Sequence, residues 1–161
     1  MKKVVVAADS FKGSLDSKSI ASAFCRAAEK SKGVFVVGFG VSDGGEGSVD
    51  ALAEGCGFKK RSAEVAGPNG DSVRAEYAVK NFAAAIETAA ASGLTLIPYS
   101  EHNALITTTY GTGELVMRAI KEGAREILLF AGGSATNDGG AGALSAMGFR
   151  FLDGNGAVSY T

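Results

Sequence analysis

Apolar positions run through this chain in three different rhythms. Residues 4–8, VVVAA, form an unbroken apolar run stopped by Asp9, the pattern of a strand buried on both faces of a parallel sheet. A helical rhythm follows from about residue 16 to residue 30, with Ile20, Phe24 and Ala27 or Ala28 on one stripe and Asp16 or Ser17 available as cap. A second strand is expected at residues 34–37. A second helix is expected around residues 46–54, where Val49, Leu52 and Ala53 recur at helical spacing and Gly55 and Gly57 can end the element. Then the period changes to two. Residues 58–65 and 73–79 alternate apolar and polar about the turn signal GPNGD at residues 67–71, and with AAAIETA they read as an antiparallel meander. Helical spacing returns at Leu115, Val116, Ala119 and Ile120, ending near Gly123. A strand at residues 127–130, a short glycine-rich helix to about Met147, and a strand, a turn at residues 153–156 and the start of another strand complete the reading.

These rhythms predict an α/β fold: a parallel, Rossmann-like sheet flanked by helices, with right-handed crossovers and an inserted antiparallel β-meander. The expected organisation is a βαβα unit over residues 1–57, a meander over 58–100 and an α/β continuation over 101–161. One continuous core is the default for 161 residues. Composition narrows the function classes. With 46% hydrophobic and 20% charged residues the chain is expected to fold. A net charge of -1 provides no global field for nucleic acid or an anionic membrane, so any anion must be bound locally. The apolar run behind MKK is too short for a signal peptide, and no other segment approaches membrane-spanning length. Cys25 and Cys56 each fall in a helical pattern, so a disulfide framework is not expected and the reducing cytoplasm is the expected compartment.

Three loops are predicted to share one placement, the carboxyl end of a parallel strand, where open α/β sheets bind ligands. They are DSFKGS (9–14), SDGGEGS (42–48) and GGSATNDGGAG (132–142). Each mixes glycine, hydroxyl and carboxylate, which suits anion binding by backbone N–H groups and metal or alcohol binding by carboxylate. A fourth, TTTYGTGE (107–114), opens a helix in the same style. Each also has a plainer reading. Asp43 with Glu46 can form a capping box for the second helix, Asn137 and Asp138 can cap the helix that follows them, Thr112 can cap its own, and Lys12 can be a solvated lysine. His102, the single histidine, is read as a surface residue with no zinc-ligand partner at the right spacing. P-loop order, the dinucleotide fingerprint and the nucleophile elbow are all missing. What remains favours phosphoryl transfer to a small polar substrate, chemistry that depends on positioning and charge neutralisation.

The blocks AADSFKGS, DGGEGS, ETAAASGL, TTTYGTGEL and GGSATNDGGAG, in this order and spacing, closely resemble the signature blocks of the bacterial glycerate kinase family. The resemblance implies a transferase on two α/β lobes that phosphorylates D-glycerate, generally at the 2-hydroxyl, with ATP and Mg2+. Carried onto this chain, it implies that Asp9 or Asp43 orients or deprotonates the substrate hydroxyl while Lys12 neutralises carboxylate or phosphate charge. Substrate and phosphate contacts fall to Ser10, Gly13, Ser14, Gly44, Gly45 and Glu46, and to Gly132, Gly133, Ser134, Thr136, Asn137, Asp138 and Gly139. Mg2+ would be held through Asp9, Asp43 or Asp138. Ala8, Ser48 and Thr88 stand where Pro, Thr and Met are usual, and none of these differences removes a charge or a hydroxyl. Family members continue well past the position of Thr161, so the chain is expected to correspond to their amino-terminal portion. The expected partners are D-glycerate, ATP and either a second copy or the remaining carboxyl-terminal part. A non-catalytic small-anion-binding or assembly module derived from the kinase fold is the alternative.

Overall fold

The computed structural model describes residues 2–11 and 14–158. Strand β1 (Lys2–Ala8) pairs in parallel with β2 (Val34–Gly40), from Lys2 opposite Val34 to Ala8 opposite Gly40. Between them runs α1 (Ser17–Glu29), whose N-cap is Asp16, with a side-chain oxygen 2.7 Å from Ser19 N. The helix buries Ile20 and Ala21 against the pair. Ala21 lies close enough to Gly38 that a Cβ there would stand 2.8 Å from the alanine Cβ, so only glycine fits.

The expectation that residues 4–8 are buried on both faces is corrected here. Val4 is 42% and Val5 58% exposed. Among the described residues, β1 and β2 form a sheet of two strands with α1 on one side, so the run has apolar neighbours on one face only.

Helix α2 (Ser48–Cys56) follows, and its polypeptide turns into β3 (Lys59–Ala66), β4 (Ser72–Lys80) and β5 (Ala83–Glu87). These three strands pair antiparallel, as the alternating pattern predicts. After α3 (Thr88–Ser92) and α4 (Tyr110–Lys121), β6 (Glu126–Phe130) adds to β5 in parallel. The 58–100 and 101–161 segments therefore share one mixed sheet of order β3-β4-β5-β6, with α5 (Ala141–Ala146) beyond it. The α/β class with parallel pairings flanked by helices is borne out, and the parallel pairings are divided between two sheets.

Alternation along β4 and β5 sends residues to opposite faces of the mixed sheet. Tyr77, Ala84 and Ile86 meet Leu115, Val116 and Ala119 of α4, while Ala78 and Ala85 meet Val49 of α2 with Leu52, Phe58 and Phe130 around them. One continuous core was expected, and two clusters are found on the two sides of this sheet. Helix α2 is thus the plate between the β1–β2 unit and the mixed sheet. The terminal hairpin reduces to a bridge between Leu152 and Val158 around a turn held by Asp153. What the sequence reading placed on residues 159–161 lies outside the described residues.

Candidate active site

Because β1 and β2 run parallel, their carboxyl ends open on one edge, and the first two loops emerge there. Asp9 is half-buried and accepts a 2.6 Å hydrogen bond from Ser10 N. Lys12 and Gly13 lie outside the described residues. In the second loop Asp43 Oδ1 accepts from Gly45 N at 3.1 Å, Gly44 takes φ 95°, Gly45 is buried and Asp43 and Glu46 are exposed. The capping box that Asp43 and Glu46 could have formed, the plainer reading of this loop, does not start the helix, whose N-cap is Gly47. Helix α2 starts two residues later than expected, with Gly47 as N-cap and no side-chain cap of its own. The amide of Val49 donates instead to Oε1 of Glu87 at 2.7 Å, a carboxylate delivered from the end of β5.

The third loop is reached through backbone contact. Gly132 N donates to Gly44 O at 3.3 Å, and a Cβ on Gly132 would come within 2.6 Å of Gly45 Cα. This glycine is required by the approach of another signature loop. Ser134 and Thr136 pair through their hydroxyls at 2.7 Å, Asn137 is exposed, and Gly133 and Gly139 take φ 75° and 61°. The ETAAASGL segment ties this loop to the rest: Ala135 N donates to Ser92 O and Leu94 N to Gly133 O, both at 2.9 Å. The hydroxyls of Ser92 and Thr112, both buried, lie 2.9 Å apart, and Thr107 Oγ1 donates to Ala135 O at 2.8 Å. Thr112, considered as a helix cap, sits inside α4 in this buried pair.

Asp138 closes the web. Its Oδ2 accepts from Thr109 N and Thr109 Oγ1, each at 2.8 Å, and from Gly142 N at 3.1 Å, while Oδ1 accepts from Gly140 N at 3.0 Å. One carboxylate thereby caps α5, as one reading of the sequence allowed, and also binds the residue before α4. Burial alone would raise its pKa, but the bonds from Thr109, Gly140 and Gly142 outweigh it and hold the carboxyl below its ordinary range. Each of its two oxygens thus accepts at least one hydrogen bond from the starts of α4 and α5. Among the described residues no group of three or more His, Cys, Asp or Glu is placed to hold a metal ion, and no buried side-chain nitrogen or oxygen lacks a hydrogen-bond partner.

A cleft of about 780 Å³ opens between α1, α2 and the β3–β4 face, lined among others by Ser10, Ser14, Glu46, Lys60, Arg74 and Glu87. Lys60 bridges Asp50 of α2 at 2.7 Å and Glu76 of β4 at 2.5 Å, and these two hydrogen bonds raise its pKa. The structure therefore brings Ser10, Ser14 and Glu46 to one cavity and sets the 42–48 loop against Gly132. Asp9 and Asp43, in the same two loops, are not among the residues that line this cavity. Glu87 was not singled out from the sequence, although its signal was present: a carboxylate directly after the apolar run AAAI, at the carboxyl end of a strand. His102 is exposed, with Nε2 3.0 Å from Ile97 O.

The glycerate kinase family model matches residues 4–159. Glycerate kinase of Bacillus cereus (strain ATCC 10987 / NRS 248) is 47% identical over 163 residues, a match covering 97% of this chain and 42% of that protein. Glycerate 2-kinase of Escherichia coli (strain K12) is 43% identical over 157 residues, covering 96% and 41%. The crystal structure of a candidate glycerate kinase 2 from Salmonella typhimurium LT2 superposes with TM-score 0.78 at 40% identity, covering 97% of this chain and 42% of the other. The chain spans about two-fifths of the length of the curated relatives it matches. No helix among the described residues is long and apolar enough to cross a membrane.

Proposed function

The chain belongs to the glycerate kinase family, and from that membership we propose that it carries the substrate-facing loops of a cytoplasmic enzyme that transfers the γ-phosphoryl group of ATP to D-glycerate, giving 2-phosphoglycerate. The observation that carries this reading is the coincidence of the family match over residues 4–159 with two hydroxyl- and carboxylate-bearing loops at the carboxyl edge of β1 and β2 and a third, after β6, tied to the second by Gly132 N on Gly44 O. Phosphoryl transfer asks the protein to position a hydroxyl in line and to neutralise charge. Asp9 and Asp43 are the carboxylates for orienting or deprotonating the hydroxyl. Ser10, Ser14, Gly44, Gly45 and Glu46 border the substrate. Gly132 N, Ala135 N and Thr136 N donate to Gly44 O, Ser92 O and Ser134 Oγ, and Gly140 N and Gly142 N to Asp138, so the groups proposed for phosphate are the amides of Gly133, Ser134 and Asn137 with the Ser134 and Thr136 hydroxyls. Mg2+ held by Asp9 or Asp43 would supply charge neutralisation on the phosphate oxygens.

Turnover is proposed to require the remainder that the relatives possess. Val5 and Phe39 of the β1–β2 pair and Leu129 of β6 are all more than half exposed, an apolar surface suited to docking a complementary part or a second copy. The test is ADP release coupled to D-glycerate, measured for the chain alone and for the chain mixed with the carboxyl-terminal three-fifths of the Bacillus cereus relative. Glycerate-dependent turnover in the mixture, lowered about 100-fold by Asp43→Asn at unchanged melting temperature, is the expected result. Folded, associated partners with no turnover would favour the non-catalytic binding or assembly module, and Asp43→Asn turning over at the parent rate would remove Asp43 from the chemistry.

A further inference from the structure

We infer that Glu87 is a positioning residue of this site: a tertiary cap, supplied by β5, that sets the first turn of α2 and with it the 42–48 loop. The first amides of a helix have no acceptor within the helix, and they need a side chain, water or another segment. Helix α2 receives no such cap from its own sequence. Its N-cap is Gly47 at φ 89°, and Asp43, placed by spacing to cap it, turns its Oδ1 to Gly45 N. Ser48 N and Ser48 Oγ both donate to Gly45 O, at 3.4 and 2.7 Å, which closes the loop upon itself. Val49 is 5% exposed, and its amide is met by Glu87 Oε1 at 2.7 Å across 38 residues of sequence.

The bond crosses a structural boundary, because Glu87 ends a strand of the mixed sheet while the 42–48 loop issues from β2 of the other sheet. Gly132 N on Gly44 O is the neighbouring tie between the same two parts. A carboxylate at a helix amino terminus also interacts favourably with the helix dipole. The groups around it are acidic on the α2 side, Asp50 and Glu46, with Lys60 of β3 paired to Asp50 and to Glu76 of β4, and Arg74 of β4 on the wall of the same cleft. Burial, and then the charges of Asp50 and Glu46, push the carboxyl above its ordinary range despite the bond from Val49. The cap is therefore weakened by protonation earlier in an acid titration than for an exposed glutamate.

This inference deepens the kinase reading, since it concerns the loop to which that reading assigns Asp43, but its test uses no substrate. Amide hydrogen exchange and amide chemical shifts are followed by NMR for the parent chain, Glu87→Gln and Glu87→Ala. In Glu87→Ala, exchange at Val49 and through residues 44–51 should rise at least about tenfold more than at protected amides of β4 and β5. Glu87→Gln keeps an acceptor and should restore most of that protection. In the parent, the Val49 amide shift should show a titration component with a midpoint above the ordinary glutamate range, and in Glu87→Gln that component should vanish. Uniform loss of protection across the chain, or a Val49 component with that raised midpoint surviving in Glu87→Gln, would overturn the inference. Should Glu87→Ala fail to fold, the presence or loss of the titration in Glu87→Gln decides alone. Absence of glycerate turnover would sink the kinase reading and leave this result standing.

Discussion

Replacing Asp138 should cost stability, and the structure sets how much. Its carboxylate takes four donors within 3.1 Å, three of them backbone amides at or beside the starts of α4 and α5. Asp138→Asn retains one carbonyl oxygen, which can face the three donors at the Oδ2 position. The amide NH2 then meets Gly140 N, donor against donor, and the negative charge near two helix starts is lost. A fully buried bond to a charged group is worth about 1.5–3 kcal/mol and a helix-dipole contact about 0.3–1 kcal/mol. Asp138 is only half-buried, so water replaces part of this. The expected cost is about 1–2 kcal/mol for Asn and about 2–3 kcal/mol for Ala. For a chain of this length the Ala variant should melt about 4–12 °C below the parent. The folded carboxyl lies below its ordinary range, so its stabilisation is complete above the unfolded-state value of about 3.9 and is lost as pH falls through the lower folded-state value. Thermal melts from neutral to acid pH should show a constant gap between parent and Ala variant that narrows only below about pH 4. If the variants melt with the parent at neutral pH, or the gap persists unchanged into strong acid, the double-helix clamp is wrong.

Gly132→Ala should destabilise by about 1–3 kcal/mol, because its Cβ would stand 2.6 Å from Gly45 Cα and the two loops must part; chemical denaturation with an unchanged slope would measure it, and a stable variant would show that the loops have slack. Ser92→Ala alone should cost about 1–2 kcal/mol by stranding the buried Thr112 hydroxyl, while Ser92→Ala with Thr112→Val should recover much of it; additive losses in the cycle would mean that the pair is not coupled. Lys60→Met should cost under about 1 kcal/mol despite its two carboxylate partners, since all three side chains are substantially exposed, and the loss should shrink further in high salt; a salt-independent loss of several kcal/mol would refute this.

Local rhythm made most elements legible. The alternation of 58–65 and 73–79 about GPNGD could bury one face only as paired antiparallel strands, and the apolar residues of α4 fell on one stripe because a helix repeats every 3.6 residues. The carboxyl ends of the first two strands were legible for the same reason, and residues 9–11 and the 42–48 loop do follow them at one edge. Capping was legible only where it is local: Asp16 caps α1 three residues ahead, whereas Asp43, with equally good spacing, does not cap α2. The competitor was Glu87, and no spacing rule reaches across 38 residues.

Sequence alone thus determined the strands, the helices and the chemical content of the loops, because those follow from periodicity and residue type within one segment. Tertiary structure decided what the segments do to one another. It joined β5 to β6 in one sheet, left Val4 and Val5 of a wholly apolar run with only one covered face, and set Asp138 between two helix starts. It also gave Gly132 its reason, the backbone of Gly45. A pattern of apolar and polar positions says which face must be covered or which donor must be met, and the partner is chosen by whichever distant segment the packed chain brings within hydrogen-bond or van der Waals reach.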